Sequence, residues 1–259
     1  MKRALLTAVV LSLAAAGLCG GWRLWSRRPW RPAVIVNGRT LTAAELELRA
    51  VTLRDDEVKN MGVEIHPTRA AEAMADYRLK AAKMWIVKEV LLGEAVARGF
   101  TVSPEAERRA VAKSDERLRK SRKISMEEFF KTGPLPEETR RRDYREGLLV
   151  SEFMSSELNS KIKVTPKETD EKMDELKRMA LAAVKPGERP PFRTDRKAAM
   201  DLLRAERFRV AFRDYFRASF VKADVKSPMF PQLEKVDGVS PPHDGENAPG
   251  PGRTKEAGR

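Results

Sequence analysis

Residues 84–107 read MWIVKEVLLGEAVARGFTVSPEAE, and this stretch decides the fold class. From Met84 to Ala97 the residues are apolar on nearly every face of a helix, so such a helix has to be covered by several neighbours at once. Gly99 supplies the stop, because the residue after a last helical turn often takes the left-handed region, which glycine enters without strain. Ser103-Pro104-Glu105 then starts another helix. Its hydroxyl satisfies open N–H groups, its proline sits where no N–H is needed, and its acid faces the positive helix end. A wrapped central helix followed at once by a second capped one predicts a mainly α-helical body.

The flanking sequence repeats the same grammar. Upstream, Pro67 opens the helical stretch that runs to Arg98. Before it, Ala33 to Leu41 holds two short β-prone runs around Asn37-Gly38, the strongest short hairpin signal, since both turn positions want positive φ. Thr42 with Glu45 predicts a capping box, and Leu46, Ala50 and Leu53 recur at helical spacing behind it. Downstream, Ser125 pairs with Glu128 in another box, Gly133 stops that turn, and Pro136 begins a helix reaching to about Ser160. Thr165-Pro166 with Glu168 begins the next. After Leu181 the chain turns through KPGERPP (185–191) and resumes at Thr194. The helix that follows carries Leu202, Ala205, Phe208, Phe212, Phe216 and Phe220 on one face. Val221 to Val225 can extend and pair with the early hairpin.

Composition narrows the function classes. The 259 residues include 51 Lys+Arg, 38 Asp+Glu, two His and one Cys. Cys19 cannot close an internal disulfide, and His66 and His243 lie far apart with no Cys near either, which argues against a structural zinc site. No phosphate-loop, dinucleotide or nucleophile-elbow motif is present as a sequence signal, and neither histidine has a nucleophile beside it in sequence. Glu127-Glu128 and Glu137-Glu138 fall in first helical turns, where compensation of the helix dipole accounts for them. No cofactor is expected.

The charge of +13 is unevenly placed. Residues 1–32 hold Lys2, Arg3, Arg23, Arg27, Arg28 and Arg31 and no acid, so the rest carries 45 cations against 38 acids, a body charge of +7. The basic run Glu107 to Lys123 holds no aromatic and Arg140 to Arg145 holds Tyr144 alone, too little for a base-stacking platform, and no nucleic-acid partner is expected. Lys2 and Arg3 precede an apolar run from Ala4 to Trp22, the pattern of a signal peptide or a short inner-membrane anchor. Trp22, Trp25 and Trp30 with the interleaved arginines suit a headgroup layer. Leu18 before Cys19 departs from a lipoprotein site. Basic residues after the run outnumber those before it, so charge alone does not give the orientation. Three regions follow: 1–32 as leader or anchor, 33–226 as a helical body, and 227–259 as a tail expected to be disordered, with six Pro and five Gly after Ser227.

Three stretches resemble one family. VIVNGRTLTAAELE (34–47) resembles the hairpin and first helix of SurA, PpiD and PrsA-type envelope chaperones. KEVLLGEAVARGFTVSPEAE (88–107) is similar to their central helix, glycine stop and capped next helix, and KIKVTPKETDEKMDEL (161–176) to the segment where those proteins leave the chaperone domain. That segment normally leads into a parvulin prolyl-isomerase domain. Here only Ala182 to Phe192 separate it from the last helix, too few residues for that fold, and the histidines such a site uses are missing. The resemblance therefore implies a SurA N-terminal-like chaperone domain without the isomerase: exported, periplasmic and non-enzymatic, binding unfolded envelope or outer-membrane polypeptides. Phe153, Met154, Phe212, Tyr215 and Phe216 are the candidate client-binding residues, since Met and Phe together can accept varied apolar partners, and ordinary core packing explains the same spacing. Residual prolyl-isomerase activity and a basic helical scaffold on anionic lipid or polymer are the alternative functions.

Overall fold

A computed structural model describes residues 29–159, 161–183 and 195–239. Residues 1–28, Ser160, residues 184–194 and those from Ser240 on lie outside the described residues, and with them most of the expected leader or anchor (1–32), the KPGERPP stretch and the remainder of the segment expected to be disordered. The chain begins with strands β1 (Pro32–Val36) and β2 (Arg39–Thr42), followed by helix α1 (Ala43–Met61) and a 3-10 turn at Pro67–Arg69. Helices α2 (Ala70–Ala97), α3 (Pro104–Arg122), α4 (Met126–Lys131), α5 (Glu137–Asn159), α6 (Pro166–Ala183) and α7 (Arg196–Lys222) come next. Strand β3 (Val225–Lys226), a 3-10 turn at Pro231–Glu234 and the single-turn α8 (Val236–Val239) complete the described chain. The fold is mainly α with one small antiparallel sheet, ordered β2-β1-β3.

The hairpin forms as Asn37-Gly38 requires. Their φ angles of 50° and 81° give the turn whose twist matches the strands. A register shift between Pro32 and Val34 marks a bulge at Ala33, and it explains why Ala33 and Val34 are both buried where simple alternation would expose one of them. On the far side of β1, Ile35 pairs with Lys226 and Val36 with Val225, so the early hairpin and the late extended segment join. Asn37 fastens that junction. Its N–H donates to the Asp224 carbonyl at 2.9 Å, and its Oδ1 accepts the Asp224 N–H at 3.0 Å.

Helix α2 is the central element. It packs against α1, α5, α7, β1 and α8, and buries Tyr77, Trp85, Ile86, Val90 and Leu91 among others. Its wrapping is incomplete, because Met84 (54% exposed) and Val96 (63%) face solvent. Gly93 lies where the hairpin turn meets the helix, and a Cβ there would come within 2.9 Å of the Asn37 Nδ2. The helix ends as expected: Gly99 takes φ +65°, its N–H reaches the Val96 carbonyl, and the Phe100 N–H reaches back to Ala95, both at 2.9 Å.

The starts of the helices follow the sequence grammar with one exception. Ser103, Ser125 and Thr165 cap α3, α4 and α6, and Ser125/Glu128 and Thr165/Glu168 close full boxes. At α1 only half the box forms. Thr42 accepts the Glu45 N–H at 3.2 Å, but the Glu45 carboxylate turns to Arg49 at 2.8 Å, a stronger partner than the Thr42 N–H. Helix α7, expected to resume at Thr194, begins at Arg196 with Asp195 as its cap.

The body also extends past its expected end. Met229, Phe230, Leu233, Val236 and Val239 pack on the core, with Leu233 fully buried and Val239 1% exposed. The expected disorder is therefore corrected for residues 228–239. The proline and glycine that suggested it are concentrated beyond them and mask a short apolar segment when the tail is averaged.

Under the hairpin lies a cluster of charges shared by four elements. Glu89 on α2, its side chain 1% exposed, faces Arg39 of β2 at 2.9 Å and Lys88 at 3.1 Å. Neither Glu89 oxygen receives a well-directed hydrogen bond, so the group is held by ion pairing alone. Lys88 also binds Asp143 (2.9 Å) and Glu146 on α5, Arg39 reaches Glu146 at 2.7 Å, and Arg49 of α1 reaches Asp143 at 2.7 Å. Burial opposes ionisation of both Lys88 and Glu146. Hydrogen bonds from Lys88 and Arg39 nevertheless hold Glu146 below its ordinary value, and those with Glu146 and Asp143 hold Lys88 above its own.

Two outcomes follow for chemical denaturation. Asn37→Ala keeps the backbone bond but loses the one that Oδ1 accepts from the Asp224 N–H, together with the favoured positive φ, and is expected to lower stability by about 1–2 kcal/mol, with Asn37→Gly intermediate. Lys88→Met leaves Arg39 as the one cation shared by buried Glu89 and Glu146, and is expected to lower stability by about 3 kcal/mol at pH 7. In the parent protein the Glu146 contribution is present above its ordinary value of 4.5 and falls away as pH drops through its lower folded value. The Lys88 contribution is complete below 10.5 and is lost as pH climbs through its higher folded value. A stability profile flat in acid would contradict this account.

Candidate client-binding cleft

The aromatic face of α7 passes from the core to the surface along its length. At its C-terminal end Phe216 (1% exposed) and Phe220 (6%) are buried. Phe212 and Phe208, one and two turns earlier, are half-buried, and Leu202 is exposed. The rings form a ladder: Phe208 stacks on Phe212 at 6.2 Å, Phe212 on Phe216 at 6.5 Å, and Phe216 meets Phe220 at 5.7 Å. Stripe spacing is uniform, whereas the cover supplied by other elements is not. Helices α2 and α5 pack on α7, and α6 takes another side of it through buried Leu176, Ala180 and Ala199. Ion pairs Lys172–Glu206 (3.2 Å) and Arg207–Glu168 stitch α6 to α7. Thr165 and Arg207 together pull the half-buried Glu168 carboxyl down to about 2.

Where α7 runs clear of the core, an open cleft of about 470 Å³ lies between it and the end of α5, lined by Asn159, Ile162, Arg204, Ala205 and Phe208. Phe208, Ile162 and Ala205 offer apolar contact. Arg204 offers donors suited to peptide carbonyls, and Asn159, whose Nδ2 already donates to the Ser155 hydroxyl at 2.6 Å, keeps a second N–H.

The structure divides the five residues predicted as client-binding. Phe153 (1% exposed), Met154 (3%) and Phe216 belong to the closed core, so this conformation presents none of them to a ligand. The ring of Phe153 is enclosed edge-on by Phe100 at 5.5 Å and Tyr215 at 6.1 Å, with the Arg98 guanidinium 5.5 Å from its centroid. Tyr215 is half-buried against the same guanidinium. Burial pushes its phenol up, opposed by Arg98 and aided by Glu94 and Glu157. Only Phe212, half-buried, lies in the ladder next to the cleft. Phe208 stood on the predicted stripe without being chosen, and Ile162, in a loop between helices, had no periodicity to mark it.

Two further clefts carry more charge. One of about 440 Å³ is lined by Glu57, His66, Glu72, Tyr77 and Lys80 among others. Its polar groups are engaged locally: Glu57 accepts from Tyr77 at 3.0 Å and pairs with Lys80, Glu72 holds Arg69 at 3.1 Å, and His66 Nδ1 sits 2.8 Å from the Thr68 hydroxyl. The other, about 330 Å³, lies between α3 and α5 and includes Asp115, Phe130, Arg141 and Tyr144. Among the described residues no group of three His, Cys, Asp or Glu is arranged to hold a metal ion, and no helix is long and apolar enough to cross a membrane.

Thermal or chemical denaturation separates core from cleft. Phe216→Ala is expected to cost about 3–4 kcal/mol, a buried aromatic replaced by a cavity, and Phe208→Ala about 1 kcal/mol. Equal losses would place Phe208 in the core. No protein-family model matches this sequence and no curated protein matches it, so its function is argued from this geometry and from the resemblance of its motifs.

Proposed function

We propose that this chain is an exported, periplasmic holdase that binds unfolded envelope or outer-membrane polypeptides without catalysis, nucleotide or cofactor. The observation that carries the reading is the aromatic ladder of α7, which leaves the sealed core and ends at Phe208 on the wall of an open cleft. A core requires no such continuation. A surface that binds exposed apolar side chains does, and its neighbours Arg204 and Asn159 suit the backbone of an extended segment. Supporting it are the paired hairpin and late strand, the architecture the chaperone-like motifs imply. Contacts of this size give weak, fast binding, because little apolar area is covered and the client pays an ordering cost. The +7 body charge would steer acidic clients at a salt-dependent rate.

Light scattering of a chemically unfolded outer-membrane barrel protein tests the proposal. The full chain is expected to slow aggregation, and the effect should persist with excess heparin. Phe208→Asp should abolish it while circular dichroism stays near that of the parent and the unfolding midpoint drops by only a few degrees, about what 1–2 kcal/mol gives. Suppression that survives Phe208→Asp, or that heparin removes, would overturn the cleft as the site. Turnover above background in a proline-peptide assay would overturn the non-catalytic reading.

A further inference from the structure

We propose that the outer face of α3 docks on the anionic headgroups of a phospholipid bilayer. Arg109, Lys113 and Arg117 follow one another at i, i+4 and i+8, about 6 Å apart along the helix axis. All three are exposed, and none of their side chains has an ion-pair or hydrogen-bond partner among the described residues. Like charges at this spacing repel and weaken a helix, so the row is not there for the helix's own sake. Every acid of α3 is already committed: Glu105 to Arg108 (3.0 Å), Glu107 to Arg145 (3.7 Å), Asp115 to Arg119 (2.6 Å) and Glu116 to Lys120 (2.5 Å). The opposite face of α3 is turned to the body through Ser114–Tyr144 and the Asp115 bond to the Met126 N–H. Helix α3 buries no residue; it packs on α4 and α5 and reaches α1 through Arg122–Asp56 at 3.2 Å, and the cationic row faces outward.

Charge complementarity selects an anionic partner, and two observations favour a bilayer over a nucleic acid. The helix carries no aromatic residue, so it offers no stacking platform for bases. The described chain begins at Pro29, immediately after a segment with an apolar run at 4–22, two tryptophans and Arg23, Arg27 and Arg28. Even a transient hold by that segment would raise the local concentration of headgroups around the body, and a weak electrostatic face then suffices.

Lysine acylation read by mass spectrometry tests this on the full chain. The protein is mixed with vesicles of phosphatidylcholine alone or of phosphatidylcholine with phosphatidylglycerol. Lys113 and Lys120 are expected to be protected only by the anionic vesicles and released at high salt, while exposed Lys235 labels equally in both. Arg109→Gln and Arg117→Gln should each shift the docked-to-undocked ratio about fivefold, the effect of one cation near an anionic surface. Equal labelling of Lys113 and Lys120 in the two vesicle types overturns the proposal. So does equal or stronger protection by a short single-stranded oligonucleotide without lipid, which would make the row a general polyanion face.

Discussion

The contact on which the remaining architecture turns is the burial of Glu89 between Arg39 and Lys88. A carboxylate removed from water is tolerated only if cations reach it, and here they come from β2 and from the same helix. Lys88 in turn ties Asp143 and Glu146, so α5 is fixed against α2 in one rotational setting. Apolar packing alone would permit several near-equivalent slides of one helix along another. Charges that must meet at 2.7–3.1 Å permit one. A wholly apolar cluster of similar volume could be as stable and would be less particular about register.

Much of the fold was legible because its signals are local. The Asn37-Gly38 turn, the caps at Ser103, Ser125 and Thr165, and the Gly99 stop each depend on a few neighbouring residues, and the structure follows them. The pairing of β3 with β1 was also readable, from one extended segment able to meet one hairpin. The departures arise where distant partners decide. Glu45 abandons its cap because Arg49 is near, and Met229 to Val239 order because the core supplies a surface for them. The charge cluster left no sequence signature at all, since Arg39, Lys88 and Glu146 look like ordinary surface residues until the helices are assembled.

The candidate site was legible only in part, for the same reason. Periodicity identified the aromatic face of α7 but could not show where α2 and α5 cease to cover it. Phe216 and Phe208 share that face with two turns between them, and one is sealed while the other borders an open cleft. Phe153 and Met154 were drawn toward the site by residue type, and neighbouring rings and Arg98 close over Phe153. Which part of a uniform stripe meets solvent is a property of helix lengths and crossings, and those emerge only from assembly.

The small sheet carries a kinetic consequence. Asn37 and Asp224 are 187 residues apart, and the strands they secure are among the most distant neighbours in the chain. Local hairpins of helices can form early, but this closure has to wait for the end of α7 and bears the entropy of a loop of 187 residues. Until then β1 has an unpaired edge and the apolar faces of α2 lack part of their cover. A chain emerging N-terminus first therefore spends its synthesis as an incomplete body, and folding becomes cooperative only when its last strand arrives.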